Sequence, residues 1–200
     1  MNRSIIESGA ASFTLPGQTE SGDRHAVVEV KGGAVATVVD GLGHGSEAAA
    51  AAELAIESVQ QHADGEPLTA LLKHCHSALK GSRGAVMNVA AFDAGEGTLT
   101  WLGIGNVEGR LLLKSAHNGY VRQNLLLRPG VVGQRLPSLQ AAVTRVQPGD
   151  MVIFATDGIA PDFAEQVRMD APVDEIAERI ITRYCKKTDD ALVLVVRYLG

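Results

Sequence analysis

In Val38-Val39-Asp40-Gly41-Leu42-Gly43-His44-Gly45, a run of apolar residues ends at an Asp-Gly turn, and this pattern is the strongest indication of the fold. A second turn of this kind, Phe154-Ala155-Thr156-Asp157-Gly158, follows another apolar run far downstream. Short continuous apolar runs bounded by turn residues are typical of buried strands. We therefore expect Asp40 and Asp157 to emerge at the edge of a sheet.

Further carboxylates lie beside similar apolar runs, namely Asp23 and the adjacent pair Asp189-Asp190. Carboxylates held together in a partly dry site repel each other and take up protons, unless a divalent cation supplies the opposite charge. Ligation by oxygen alone selects Mg²⁺ or Mn²⁺ over zinc. The sequence therefore predicts a hard-metal site, in which two ions about 3.5–4 Å apart can share a hydroxide that attacks phosphorus or carbon.

The composition is that of one globular domain of 200 residues and argues against a nucleic-acid partner. Asp and Glu number 23 against 18 Lys and Arg, and the net charge of −5 leaves no long basic block to bind a phosphate backbone. Aromatic residues make up only 4% of the chain, too few for a platform on which bases could stack.

The cysteines and the first residues bear on location. Cys75 and Cys185 match the spacing of neither a disulfide framework nor a thiolate metal site. The stretch from Met1 to Glu7 carries charge too early, and too few apolar residues, for a signal peptide. No apolar run approaches the ~20 residues that span a bilayer. We therefore expect a cytoplasmic protein with no membrane partner.

Nine apolar or alternating runs, separated by Gly, Pro and Asn, predict strands. They fall at about 25–30, 34–39, 85–92, 98–104, 109–114, 119–127, 140–147, 151–155 and 191–199. Three helices are predicted at about 46–61, with Ser46 as N-cap, at about 67–80 and at 173–184. Short turns such as 93–97 and Asn118-Gly119 favour antiparallel pairing. The predicted fold is α/β of the α+β kind, a four-layer αββα sandwich of two mainly antiparallel sheets flanked by helices.

The glycine-rich segment after the first apolar run matches neither of two common phosphate-binding loops. Gly41-Leu42-Gly43-His44-Gly45-Ser46 superficially matches a dinucleotide-binding turn, but Ser46 replaces its third glycine and Asp40 would point its charge to where the pyrophosphate lies. No glycine loop is followed by Gly-Lys-Ser/Thr, which excludes a P-loop.

Five motifs resemble, in order and spacing, the metal-dependent type-2C serine/threonine protein phosphatases (the PPM family), and above all their bacterial branch. They are Asp40–Gly45, Arg83-Gly84-Ala85, Gly103-Ile104-Gly105-Asn106, Phe154–Gly158 and Thr188-Asp189-Asp190. Within that branch, the short chain without a sensor domain and Gly105-Asn106 are most similar to the RsbX-like stressosome phosphatases. The resemblance covers residues 1–200 and implies a single type-2C-like phosphatase domain with the sandwich fold.

The resemblance also implies roles for individual residues. Asp40 would bridge two Mn²⁺ or Mg²⁺ ions, and the Gly41 carbonyl and Asp23 would bind one of them. Asp157 and Asp189 would bind the other ion. Asp190 is the alternative to Asp189, and would otherwise lie just behind the ligands and help to orient them.

Three further side chains are candidates for a role in the reaction. His44 lies in the first Asp-Gly turn and could donate a proton to the leaving alkoxide. The arginine that binds phosphate in eukaryotic members of the family has no clear match near the N-terminus, which leaves Arg24 and Arg83 as candidates.

The activity implied by the resemblance is removal of phosphate from phosphoserine or phosphothreonine by direct attack of a hydroxide that bridges the ions. Its implied substrates are phosphorylated sulfate-transporter-and-anti-sigma-antagonist (STAS) domain proteins of a stressosome. Two alternatives remain open at this point, a catalytically inactive module of the same fold that binds phosphoproteins and a hydrolase of a small phosphoester. Phosphate release would exclude the first, and substrate preference would separate the second.

Overall fold

The computed structural model describes residues 4–115, 119–165 and 167–200, which contain eleven strands and three helices. The strands are β1 (Ile6–Phe13), β2 (Asp23–Val30), β3 (Gly33–Gly41), β4 (Ala85–Asp93), β5 (Thr98–Ile104), β6 (Glu108–Lys114), β7 (Tyr120–Asn124), β8 (Leu127–Arg128), β9 (Ala142–Arg145), β10 (Met151–Ala155) and β11 (Ala191–Tyr198). The helices are α1 (Ser46–His62), α2 (Leu68–Ala78) and α3 (Val173–Tyr184). Asn118 of the predicted Asn118-Gly119 turn lies outside the described residues.

The strands form two sheets. The first has the order β1-β11-β10-β6-β7, and the second has the order β2-β3-β4-β5-β8 with β9 also paired to β5. Every pair is antiparallel except β5 with β8. Short turns between consecutive strands allow this pairing without crossover helices. The predicted, mainly antiparallel arrangement is confirmed.

Helices cover the outer face of each sheet, and this makes four layers. Helices α1 and α2 pack on the second sheet through buried residues such as Val59 and Leu71. Helix α3 packs on the first sheet through Ile176 and Ile180. The predicted αββα sandwich is confirmed, and among the described residues no helix is both long and apolar enough to cross a membrane.

Strand β3 shows why its sequence is continuously apolar. Val38 lies in the cluster between the two sheets with Phe154 of β10, whereas Val39 lies in the cluster under α1 and α2. Both valines are fully buried, because successive side chains of a strand point to opposite faces and both faces of β3 are covered. The burial of both faces fixes β3, and with it the Asp-Gly turn at its end.

The structure corrects the sequence prediction at three places. Strand β1 was not predicted, because Ile6–Phe13 is mostly small and polar, yet it pairs with β11 along its whole length. The run at 119–127 was predicted as one strand but forms β7 and the short β8. Ser46 is the first residue of α1 rather than its N-cap, because the chain enters the helix through Gly45 at a φ of 76°.

Candidate metal centre

The predicted site residues converge because each lies at a strand end on the same edge of the sandwich. Asp23 begins β2 and stands directly opposite Asp40, near the end of β3, in the antiparallel ladder. Asp157 follows β10, and Asp189-Asp190 precedes β11, which pairs antiparallel with β10. Each sheet therefore contributes one hairpin-like pair of strand ends, and the structure brings these acids together.

A threonine joins the two sheets at this edge. Thr156 donates its hydroxyl to Asp23 Oδ2 at 2.7 Å, and Leu192 N–H donates to Thr156 Oγ1 at 2.8 Å. Asp23 is only 5% exposed and Thr156 only 1%. The hydrogen bond holds one carboxylate oxygen of Asp23 and leaves Oδ1 without a hydrogen-bond donor among the described residues.

The two adjacent acids before β11 differ in environment. Asp190 is 5% exposed, and its Oδ1 and Oδ2 accept hydrogen bonds from Leu15 N at 2.8 Å and Gly22 N at 2.7 Å. Asp189 is exposed, and its Oδ1 accepts the backbone N–H of Asp190 at 2.9 Å. Asp190 thus fastens the segment before β2, whereas Asp189 keeps an oxygen available to a ligand.

Asp157 is held from two sides. Asn106 Nδ2 donates to Asp157 Oδ2 at 2.8 Å, and Lys186 Nζ donates to the Asp157 backbone carbonyl at 2.6 Å. Asp157, Asn106 and Lys186 are all exposed, so this side of the site is open to solvent.

Both Asp-Gly turns need glycine because backbone passes very close to them. A Cβ on Gly41 would lie 2.0 Å from the Ala48 carbonyl oxygen, and a Cβ on Gly158 would lie 2.0 Å from the Asp190 carbonyl oxygen. Each distance is far shorter than two non-bonded atoms tolerate. The close approach at Gly41 packs the first turn directly against α1. The close approach at Gly158 packs the turn after β10 against the acidic pair before β11.

The cluster resists ionisation. Burial raises the pKa of Asp40 to about 8, and the charges of Asp23, Asp157, Asp189 and Asp190 add to the effect. Burial raises the pKa of Asp23 to about 7, although the Thr156 hydroxyl opposes the shift. Asp157 lies at the surface but is partly shielded from water, and this partial desolvation together with Asp189 raises the pKa of its carboxyl, against the lowering effects of Lys186 and Asn106. A cation among these carboxylates would offset the repulsion and let them ionise.

The donor set fits a hard divalent cation. The cluster offers carboxylate oxygens, which Mg²⁺ and Mn²⁺ prefer. The Gly41 carbonyl stays a predicted ligand. Within residues 4–115, 119–165 and 167–200, no three His, Cys, Asp or Glu side chains form a closed group that could hold an ion by themselves. Mg²⁺ usually keeps several waters and takes only one or two carboxylates, so an open arrangement such as this one suits it.

The two candidate arginines contact other groups than the carboxylates of the cluster. Arg24 donates to the carbonyls of Ser21 at 2.6 Å and Asp23 at 3.0 Å, and its Nε lies 3.4 Å from Glu53 Oε2. Arg83 forms an ion pair with Glu47. Each arginine is therefore already engaged with a glutamate.

His44 is exposed, with its Nδ1 at 3.4 Å from Gln18 Nε2. Its role as a proton donor stays a prediction.

Three residues that build the site had no role predicted from the sequence. Thr156, Asn106 and Lys186 each contact an acid residue of the cluster. Thr156 and Asn106 lay within recognised motifs, but only the packing of the two sheets shows which carboxylate each one meets. Lys186 lies three residues before Asp189, and its charge beside the acidic pair was the available signal.

Known proteins resemble this chain in sequence and in fold. The family model described as stage II sporulation protein E (SpoIIE) matches residues 31–199. Phosphoserine phosphatase RsbX of Bacillus subtilis (strain 168) is 24% identical over 157 residues, which cover 78% of this chain and 76% of that protein.

Two solved structures superpose over nearly the whole chain. A chain from work on the bacterial stressosome, described as a modular system adapted to control secondary messenger signalling, has a TM-score of 0.85 and 30% identity, covering 96% of this chain and 99% of that one. A crystal structure of RsbX in complex with magnesium has a TM-score of 0.85 and 20% identity, covering 99% and 98%. Because the family model matches most of the chain, the protein belongs to the SpoIIE family.

Proposed function

We propose that residues 1–200 form one metal-dependent phosphatase domain that removes phosphate from phosphoserine and phosphothreonine in STAS-domain proteins of a stressosome. The observation that carries the proposal is the meeting of Asp23, Asp40 and Asp157 at one edge of the sandwich, where desolvation and repulsion from neighbouring carboxylates raise the pKa of each. The similarity to a named phosphoserine phosphatase and to a chain from stressosome work supports the choice of substrate. The cytoplasm is the proposed location.

Two Mn²⁺ or Mg²⁺ ions are the proposed cofactors. They would be held by Asp40, Asp23 and the Gly41 carbonyl on one side and by Asp157 and Asp189 on the other. Bound there, the ions would supply Lewis-acid activation of water and positive charge for the phosphate group. The magnesium complex of the similar RsbX supports this choice of metal.

The protein's own residues set the geometry of the carboxylates. Thr156 holds Asp23 through one oxygen, and Asn106 holds Asp157 in the same way. Asp190 ties down the backbone at Gly22, directly before Asp23. Carboxylates fixed in advance lose less conformational entropy when a ligand binds, because their orientation is already set. The proposed function of these contacts is to hold ionisable oxygens toward a common centre.

The experiment is a measurement of phosphate release from a phosphoserine STAS-domain protein and from a small aryl phosphate, with Mn²⁺ and then with excess chelator. We expect release from the phosphoprotein that depends on Mn²⁺ and exceeds release from the aryl ester. Asp40→Asn should abolish release and keep the fold, as checked by circular dichroism. The matched control is Asp93→Asn, an exposed acid opposite Gly33 at the far end of β3.

The outcomes separate the alternatives. Release that survives chelation, or that survives Asp40→Asn, would overturn the proposed mechanism. Release from the aryl ester alone would point to a small-phosphoester hydrolase. Metal-independent binding of the phosphoprotein without release would point to a binding module.

A further inference from the structure

Lys186 is fixed beside the second Asp-Gly turn at both its backbone and its side chain. Its backbone N–H donates to the Gly158 carbonyl at 2.9 Å, and its Nζ donates to the Asp157 carbonyl at 2.6 Å. A bridge between Ile159 and Cys185 adds a further backbone connection next to it. Lysine side chains on a surface normally sample many rotamers, so this anchoring places a positive charge at a defined point of the site's rim.

The two arginines considered for phosphate binding are both engaged by carboxylates. Arg24 pairs with Glu53, and Arg83 pairs with Glu47. Lys186 takes part in none of the ion pairs found between described residues, and its Nζ makes one hydrogen bond among them, to a carbonyl. An ammonium group has three donors, so two remain for a ligand. Lys186 therefore has donors left for a ligand, whereas each of the two arginines is paired with a glutamate.

We propose that Lys186 binds the phosphate group of the substrate next to the acid cluster. The inference rests on the proposed phosphatase function, because it assigns the group that recognises the phosphate there. A phosphate monoester brings about two negative charges and several strong acceptor oxygens, and lysine binds such a group as a point charge. Lys186 is exposed at the open side of the site, where Asp157 and Asn106 also face solvent.

The test compares two neighbouring lysines. Lys186→Met removes the charge and keeps the length, Lys186→Arg keeps the charge, and Lys187→Met makes the same charge change one residue further along the exposed segment. A hydrogen bond to a charged group is worth about one to two orders of magnitude in affinity. We therefore expect Lys186→Met to lower kcat/KM for the phosphoprotein roughly tenfold to hundredfold, with Lys186→Arg partly restoring it and Lys187→Met close to wild type.

Two binding measurements separate phosphate recognition from a structural role. The affinity of the Mn²⁺-loaded protein for inorganic phosphate should fall in Lys186→Met by a similar factor, whereas its affinity for Mn²⁺ should stay within about twofold of wild type. Lost Mn²⁺ affinity would overturn the proposal, because Lys186 would then act by holding the Asp157 turn. Equal losses in Lys187→Met and Lys186→Met would also overturn it, because any positive charge in the segment would then serve.

The two proposals fail in distinguishable ways. If the wild-type protein releases no phosphate from any phosphoester but binds inorganic phosphate through Lys186, the phosphatase function fails and the phosphate site stands. If the wild-type protein is active and Lys186→Met retains full activity and phosphate affinity, the site fails and the function stands.

Discussion

Thr156 donates its hydroxyl to Asp23 Oδ2 across the interface of the two sheets, at 2.7 Å. Thr156 follows β10 of the first sheet, and Asp23 begins β2 of the second. The candidate metal centre is therefore not a feature of either sheet alone. It forms only when the two sheets pack against each other in this orientation, so the stability of the sandwich and the geometry of the site are linked.

Thr156→Val should weaken the site and the fold together. It removes the hydroxyl that opposes the raised pKa of Asp23, so that pKa should rise above about 7, and it leaves the Leu192 N–H without its acceptor. We expect a loss of about 1–3 kcal/mol in the free energy of unfolding and a shift of Mn²⁺ binding to higher pH. Urea denaturation and Mn²⁺ titration at pH 6, 7 and 8 would measure both. Thr156→Ser keeps the hydroxyl and should stay near wild type, so equal behaviour of the two variants would contradict this account.

Asn106→Ala should lower metal affinity with little effect on stability. Its amide donates to Asp157 Oδ2 at 2.8 Å and helps to lower the pKa of that carboxyl, but both side chains are exposed. Loss of a hydrogen bond to a charged group should reduce Mn²⁺ affinity and turnover roughly tenfold. Asn124→Ala, on the exposed strand β7, is the control. A variant that binds Mn²⁺ as tightly as wild type would show that Asn106 does not orient Asp157.

The fold was largely predictable because its strongest signals are local. Val38 and Val39 are apolar because both faces of β3 are buried, and the Asp-Gly turn follows directly from the end of that strand. Strand β1 was missed because its small, polar residues form a strand only through pairing with β11, nearly the whole chain length away.

The acids of the site were predictable as a set, but their partners were not. The predicted meeting of Asp23 with Asp40 follows from one hairpin, which sequence patterns can locate. The contact of Asp23 with Thr156 spans two sheets and 133 positions of sequence, and no local pattern encodes it. The different burial of the neighbours Asp189 and Asp190 is likewise a product of packing.

Asp190→Asn should reduce stability, whereas Asp189→Asn should reduce metal affinity. In Asp190→Asn, an amide NH₂ replaces one of the oxygens that accept from Leu15 N and Gly22 N, so a buried donor is left facing a donor. We expect about 1–3 kcal/mol of lost stability. Asp189 is exposed, so Asp189→Asn should change stability by less than about 0.5 kcal/mol and lower Mn²⁺ affinity at least roughly tenfold. Thermal unfolding with chelator and calorimetric Mn²⁺ titration would decide. If Asp190→Asn abolished Mn²⁺ binding in a folded protein while Asp189→Asn did not, Asp190 rather than Asp189 would be the ligand.

Without metal, the protein should lose stability as the pH rises from about 5 to 8, and Asp40→Asn should reduce this loss. The pKa of Asp40 is about 8 in the folded protein, against an ordinary value of 3.8 for the unfolded chain, so between these values the folded state holds a proton that the unfolded state has released. Raising the pH therefore favours unfolding.

Asn carries no charge, so the Asp40→Asn variant should be more stable than wild type at pH 8 by about 2 kcal/mol in chelator, which is less than the full pKa shift would give because Asp40 is only partly buried. Saturating Mn²⁺ should reverse the order, because only wild type binds it tightly and ligand binding stabilises the folded state. Denaturation curves at each pH, with chelator or with Mn²⁺, would measure this, and a metal-free stability that rises with pH in wild type would show that Asp40 is ionised without a cation.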